Sequence, residues 1–76
     1  MFYICSMITL EQVIEAKQNY KSIDIKLSNG KTMVVDFLTY NILRYKPEVG
    51  CEQMRHFYGD TTKMINLCKR YLKNQD

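Results

Sequence analysis

With 76 residues and a formal charge of +3, the chain is long enough for one domain and too short for two. A chain of this length buries only about 60% of the surface that its unfolded form exposes. Its core is therefore thin, worth roughly 3–5 kcal/mol, and a wide reaction cleft would consume much of it.

Apolar residues make up 46% and charged residues 25%, with three Gly and one Pro, which is globular rather than disordered composition. Ile, Lys, Asn and Tyr are abundant, as in the products of AT-rich genomes. The charge is uneven. Residues 1–36 balance acids and bases, whereas residues 37–76 carry Arg44, Lys46, Arg55, Lys63, Lys69, Arg70 and Lys73 against fewer acids. This excess falls short of the dense clustering of a dedicated nucleic-acid binder. The cysteines Cys5, Cys51 and Cys68 are odd in number and form no C-x-x-C pair. Reduced thiols and a cytoplasmic protein are the expectation.

In chain order, Phe2–Met7 has strand-like composition. It reads either as a first strand or as a leader before a start at Met7, and it is too short for a signal peptide or a membrane span. No other segment approaches a membrane span. Thr9-Leu10-Glu11-Gln12 fits a capping box, with Ile8 and Val13 placed as a hydrophobic staple. A helix over 10–20 follows, with Leu10, Val13, Ile14 and Lys17 sharing a face.

Ile23, Ile25 and Leu27 alternate with polar residues, as do Met33, Val35 and Phe37 for the most part, with Asn29-Gly30 between them. This predicts a β-hairpin. A two-residue loop would put the two apolar sets on opposite faces. A three-residue loop, Ser28-Asn29-Gly30, pairs Leu27 with Lys31, Ile25 with Met33 and Ile23 with Val35, and burial selects it. Gly30 then adopts positive φ in a type I turn closed by a G1 bulge.

Residues 38–46 fit a helical turn through Leu38, Ile42 and Tyr45, or a strand through Tyr40, Ile42 and Arg44; the helix is favoured. Lys46–Gly50 reads as a loop around Pro47. Cys51–Tyr58 reads as a short helix stopped by Gly59, and Asp60 as the N-cap of a last helix over 61–74. Met64, Ile65, Cys68, Tyr71 and Leu72 form its apolar stripe, opposite Lys63, Asn66, Lys69, Arg70 and Lys73. The expected fold class is α+β: a small antiparallel sheet built on the hairpin, with or without an N-terminal third strand, packed by two to four helices. A strand at Phe2–Met7 beside Ile23–Leu27 would make a right-handed β-α-β crossover.

Nothing in this pattern points to catalysis. The one His, His56, follows Cys51 by five residues, about 140° apart on a helix. No nucleophile elbow, phosphate loop or H-E-x-x-H is present. Cys5, Cys51, Cys68 and His56 have the composition of a zinc site without its paired spacing, so no metal or other cofactor is expected. Glu11 and Glu15 suit a helix N-terminus.

Two surface candidates remain. One is the basic face Lys63, Lys69, Arg70 and Lys73. The other is an aromatic-basic patch of Tyr40, Arg44, Tyr45 and Lys46, in which Tyr45, with Tyr71, is expected to fill the core edge. The leading expectation is a non-catalytic protein-binding module. Small AT-rich chains of this build are typical of phages and mobile elements, where inhibitors of host or defence proteins, nucleases among them, are common. The alternative is a small nucleic-acid-binding protein using the same basic residues. Homodimerisation is compatible with both.

Overall fold

The computed structural model describes residues 7–75. Helix α1 (Leu10–Gln18) leads into four strands, β1 (Ser22–Lys26), β2 (Thr32–Asp36), β3 (Asn41–Lys46) and β4 (Gly50–His56), and helix α2 (Thr61–Lys73) closes the chain. The strands form one antiparallel sheet in the order β1-β2-β3-β4. The α+β class therefore stands, with two helices among the described residues. The proposed strand at Phe2–Met7, and the crossover built on it, lie outside the described residues apart from Met7, which belongs to no strand.

Local chemistry set α1 as expected. The Thr9 hydroxyl accepts from the Gln12 N–H at 3.2 Å, and the Gln12 side chain accepts from the Thr9 N–H at 2.8 Å. The buried face differs from the expected one. Val13 and Ala16 enter the core, while Leu10 and Ile14 stay exposed at its margin. At α2, Asp60 accepts from the Lys63 N–H at 3.1 Å. Met64 and Cys68 are buried, and Ile65, Leu67, Tyr71 and Leu72 pack around them.

The first hairpin has the predicted register, with Ile25 opposite Met33 and Ile23 opposite Val35. The Gly30 N–H donates to the Leu27 carbonyl at 3.1 Å, the Leu27 N–H donates to the Lys31 carbonyl at 2.8 Å, and Gly30 has φ +85°. These are the marks of a type I turn with a G1 bulge.

The two helices expected over 38–46 and 51–58 are strands β3 and β4. Asp36 ends β2 and turns the chain, and β3 returns along it with Leu43 beside Val34 and Ile42 beside Val35. Pairing to the free edge of β2 satisfies a full row of backbone groups, which outweighs a weak helical periodicity. β4 then pairs with β3, with a register shift at Met54, because Ile42 faces Arg55 while Leu43 faces Gln53.

Cross-strand partners share a face. Ile23, Ile25, Met33, Val35, Ile42 and Arg44 therefore point toward the helices, and Val34, Leu43 and Tyr45 point away. The core gathers Val13, Ile25, Val35, Phe37, Ile42 and Met64, all fully buried. α1 packs on β1, α2 packs on β2, and the helices touch each other. The far end of α2 is tied down as well: Ser28 donates to the Asn74 carbonyl at 2.9 Å, and the Gln75 side chain exchanges two hydrogen bonds with the Ile8 backbone.

Two stability outcomes follow. A Cβ added at Gly30 meets nothing within 4 Å, so Gly30→Ala costs only its left-handed backbone, about 1–2 kcal/mol; an unchanged urea midpoint would contradict the turn assignment. Phe37→Ala empties the largest buried site and removes about 3–5 kcal/mol, the whole stability of a core this thin. That chain is expected to lose its cooperative thermal transition by circular dichroism.

Candidate functional site

Three loops meet at one end of the sheet, because Ser22, Asp36, Asn41 and His56 lie in one cross-strand row. They are the α1–β1 link, the β2–β3 turn and the β4–α2 link. Hydrogen bonds fasten them together: the Phe37 N–H donates to the Lys21 carbonyl at 3.1 Å, and the Phe57 N–H to the Tyr40 carbonyl at 2.8 Å.

Each loop carries one tyrosine in the left-handed region: Tyr20 (φ 53°), Tyr40 (φ 60°) and Tyr58 (φ 51°). They are the only non-glycine residues with positive φ among the described residues. Tyr20 follows the α1 C-cap. Its N–H donates to Lys17 and the next N–H, of Lys21, donates to Ala16, which makes a Schellman motif with tyrosine where glycine is usual. Tyr58 and Gly59 (φ 83°) both have positive φ between Phe57 and Asp60, whose N–H donates to the Phe57 carbonyl at 2.9 Å. That is a type I′ turn with tyrosine where asparagine is favoured. Such backbone costs about 1–2 kcal/mol per residue, a large sum against a thin core.

The aromatic rings are not hidden in compensation. Tyr20 is 62% exposed, Tyr58 88%, and Leu38 on the β2–β3 turn 66%. Tyr40 packs against the core, and a cleft of about 390 Å³ opens between Lys17, Tyr20, Phe37, Tyr40, Gly59 and Thr61. Asp36 stiffens the turn. Its carboxylate accepts from the Leu38 N–H at 2.9 Å, the Thr39 N–H at 3.4 Å and the Thr39 hydroxyl at 2.8 Å. Partial burial pushes the Asp36 pKa up, but these donors together outweigh it and hold the group below its ordinary value.

The expected aromatic-basic patch is divided. Strand alternation sends Arg44 toward the helices, where it pairs with Glu52 at 3.3 Å, and sends Tyr45 to the opposite face, 41% exposed rather than at the core edge. Tyr40 sits at the loop end, whereas Lys46 borders a cleft with Asn29–Lys31 at the other. Tyr71 does pack against the core; burial first, and the adjacent Cys68 second, push its hydroxyl pKa up against the lowering effect of Arg44 and Arg70.

The basic helix face is joined by a cation that sequence reasoning left out. Arg55 of β4 meets Lys63, Asn66, Leu67 and Arg70 of α2 around an open groove of about 200 Å³. The Arg55 guanidinium stacks over the Phe57 ring, 4.7 Å from its centre. Lys69 and Lys73 are exposed on α2 outside that lining. The signal for Arg55 was its place two residues before a buried phenylalanine, which becomes readable only once 50–56 is known to be a strand.

The remaining chemical groups are separated. Cys51 and His56 lie at opposite ends of β4, about 16 Å apart at 3.3 Å per residue; the helical angle expected between them does not apply. Asn41 Nδ2 donates to the Thr39 hydroxyl at 3.0 Å, so Asn41 Oδ1 accepts from Gln53 at 3.1 Å and from the His56 Nδ1–H at 2.7 Å. The His56 ring also meets Tyr58 edge-on at 4.4 Å. Cys68 is buried, and that burial pushes its thiol pKa up to about 12. Among the described residues no three His, Cys, Asp or Glu side chains gather as a metal site, and no helix is long and apolar enough to cross a membrane.

No family model, no curated protein and no solved structure matches the chain.

The Asp36 hydrogen bonds give a pH-dependent outcome. Because the folded pKa lies below the unfolded one, their contribution is full above the unfolded pKa and is lost as pH falls through the folded value. Asp36→Ala should therefore cost about 1 kcal/mol at neutral pH and flatten the loss of stability below pH 3.8. Urea melts from neutral to acid pH check both.

Proposed function

We propose that this chain is a non-catalytic protein-binding module that docks through its loop end, with Tyr20, Tyr58 and Leu38 as the contact residues and the cleft lined by Tyr20 and Tyr40 at the same end. The observation that carries this reading is the coincidence of strain and exposure. Folding stability alone would place glycine or asparagine at the Tyr20 and Tyr58 positions. Backbone strain retained at exposed aromatic residues is typical of surfaces kept for a purpose. Tyrosine is also the residue that protein interfaces enrich, because it offers a rigid apolar ring with one polar tip.

A binding role without turnover is supported by the placement of the reactive groups. His56 is engaged with Asn41, Cys51 lies at the far end of the same strand, and the Cys68 thiol is buried and protonated. Binding alone is sufficient for an inhibitor, which acts by covering a working surface of a host or defence protein.

The reading predicts opposite effects on stability and function. Tyr20→Gly and Tyr58→Asn remove left-handed strain and should together leave the chain as stable as before, or more stable by about 1 kcal/mol. The same pair should abolish stoichiometric recovery of the partner that wild-type protein retains on affinity purification, read by mass spectrometry. Equal recovery by the double variant, or no stoichiometric partner for the wild type, overturns the proposal.

A further inference from the structure

We propose that the groove between β4 and α2 seats the phosphodiester backbone of a single-stranded nucleic acid. Arg55, Lys63 and Arg70 bring three cations to one cleft, with Asn66 as a neutral donor beside them. Among the described residues, the only carboxylate paired with any of the three is Asp60, which reaches Lys63 at 3.9 Å across an exposed contact. Ion pairs of that kind are worth little, so the mutual repulsion of the three cations is left for an anion to relieve.

Several features favour an extended phosphate chain over carboxylates. Two of the three cations are guanidinium groups, whose planar forks match phosphate oxygens in pairs. Arg55 is held in orientation by its stack on Phe57, so less freedom is lost when it binds. The cations also continue along α2. Lys63, Arg70 and Lys73 fall within about 80° of one another around the helix and extend about 15 Å along it, which suits a run of charges rather than one isolated anion. Tyr58 stands exposed in the turn that joins the two walls of the groove. An aromatic platform beside a cationic track is how sequence-tolerant single-strand binders hold bases and backbone together.

This proposal stands apart from the protein-docking role, which requires none of Arg55, Lys63 or Arg70. It is tested with a fluorescent oligo-dT of about 12 nucleotides, by anisotropy from about 20 mM salt upward. Three neutralised phosphates predict that log K falls with log salt with a slope of about −2, at about 0.7 per phosphate. Arg70→Gln and Arg55→Gln should each reduce that slope by about 0.7, while Lys26→Gln, an equal loss of charge on an exposed β1 position, should leave it unchanged. The proposal is overturned by an absence of binding at the lowest salt, by equal loss in Lys26→Gln, by tighter binding to a duplex of the same length, or by equal competition from poly-glutamate, which would assign the groove to an acidic protein.

Discussion

No side chain between Gly50 and His56 is buried, so β4 owes its place to its backbone ladder with β3 and to the burial of Phe57 just past its end. The β4–α2 side of the loop end depends on that anchorage. Phe57 is 5% exposed, its N–H holds the Tyr40 carbonyl, and its own carbonyl accepts the bond that closes the Tyr58-Gly59 turn. Burying one aromatic ring is worth about 1.5–3 kcal/mol. A ladder bond contributes about 1 kcal/mol net. The ring is therefore the largest single term holding the fourth strand, and through it the start of α2.

The same economy explains which parts of the fold were readable in the sequence. The capping box, the Asp60 N-cap and the first hairpin follow local rules, and each is found as read. In the hairpin, burial on one face was enough to choose a register without the structure. β3 and β4 defeated that method for a physical reason. β3 has apolar side chains on both faces, with Ile42 in the core and Leu43 and Tyr45 on the side away from the helices, so the period-two signal is blurred. β4 buries neither face, so selection for alternation is absent, and the extra residue at Met54 breaks what pattern remains. Both are strands because a neighbouring edge was available, which is a fact about tertiary structure.

The candidate surfaces were legible to the same extent. The basic face of α2 could be named, since amphipathic spacing places Lys63 and Arg70 away from Met64 and Cys68. Its partner in the groove, Arg55, required the β4 assignment. The tyrosine cluster was out of reach in a different sense. Tyrosine is not a residue from which a Schellman motif or a type I′ turn is inferred. Sequence rules that choose the best residue for each turn pass over positions where a worse residue has been kept. Such departures are expected where function competes with stability.

Tyr58 and Arg55 flank Phe57 in the chain and depend on it differently. Arg55 lays its guanidinium on the ring, and Tyr58 is thrown into solvent because the turn that follows the buried ring has left-handed backbone. One buried side chain thus sets the direction of two exposed ones, an aromatic toward the loop end and a cation toward the α2 groove. In a chain with so little interior, a single anchor shared by two surfaces costs less core than two anchors would. It also makes the surfaces separable at their far tips and inseparable at their root: changes at Tyr20 or Arg70 alter one surface alone, whereas Tyr58 borders both and loss of the Phe57 ring removes the support of that shared connection. Economy of burial accounts for the crowding of exposed aromatic and basic groups around the β4–α2 connection.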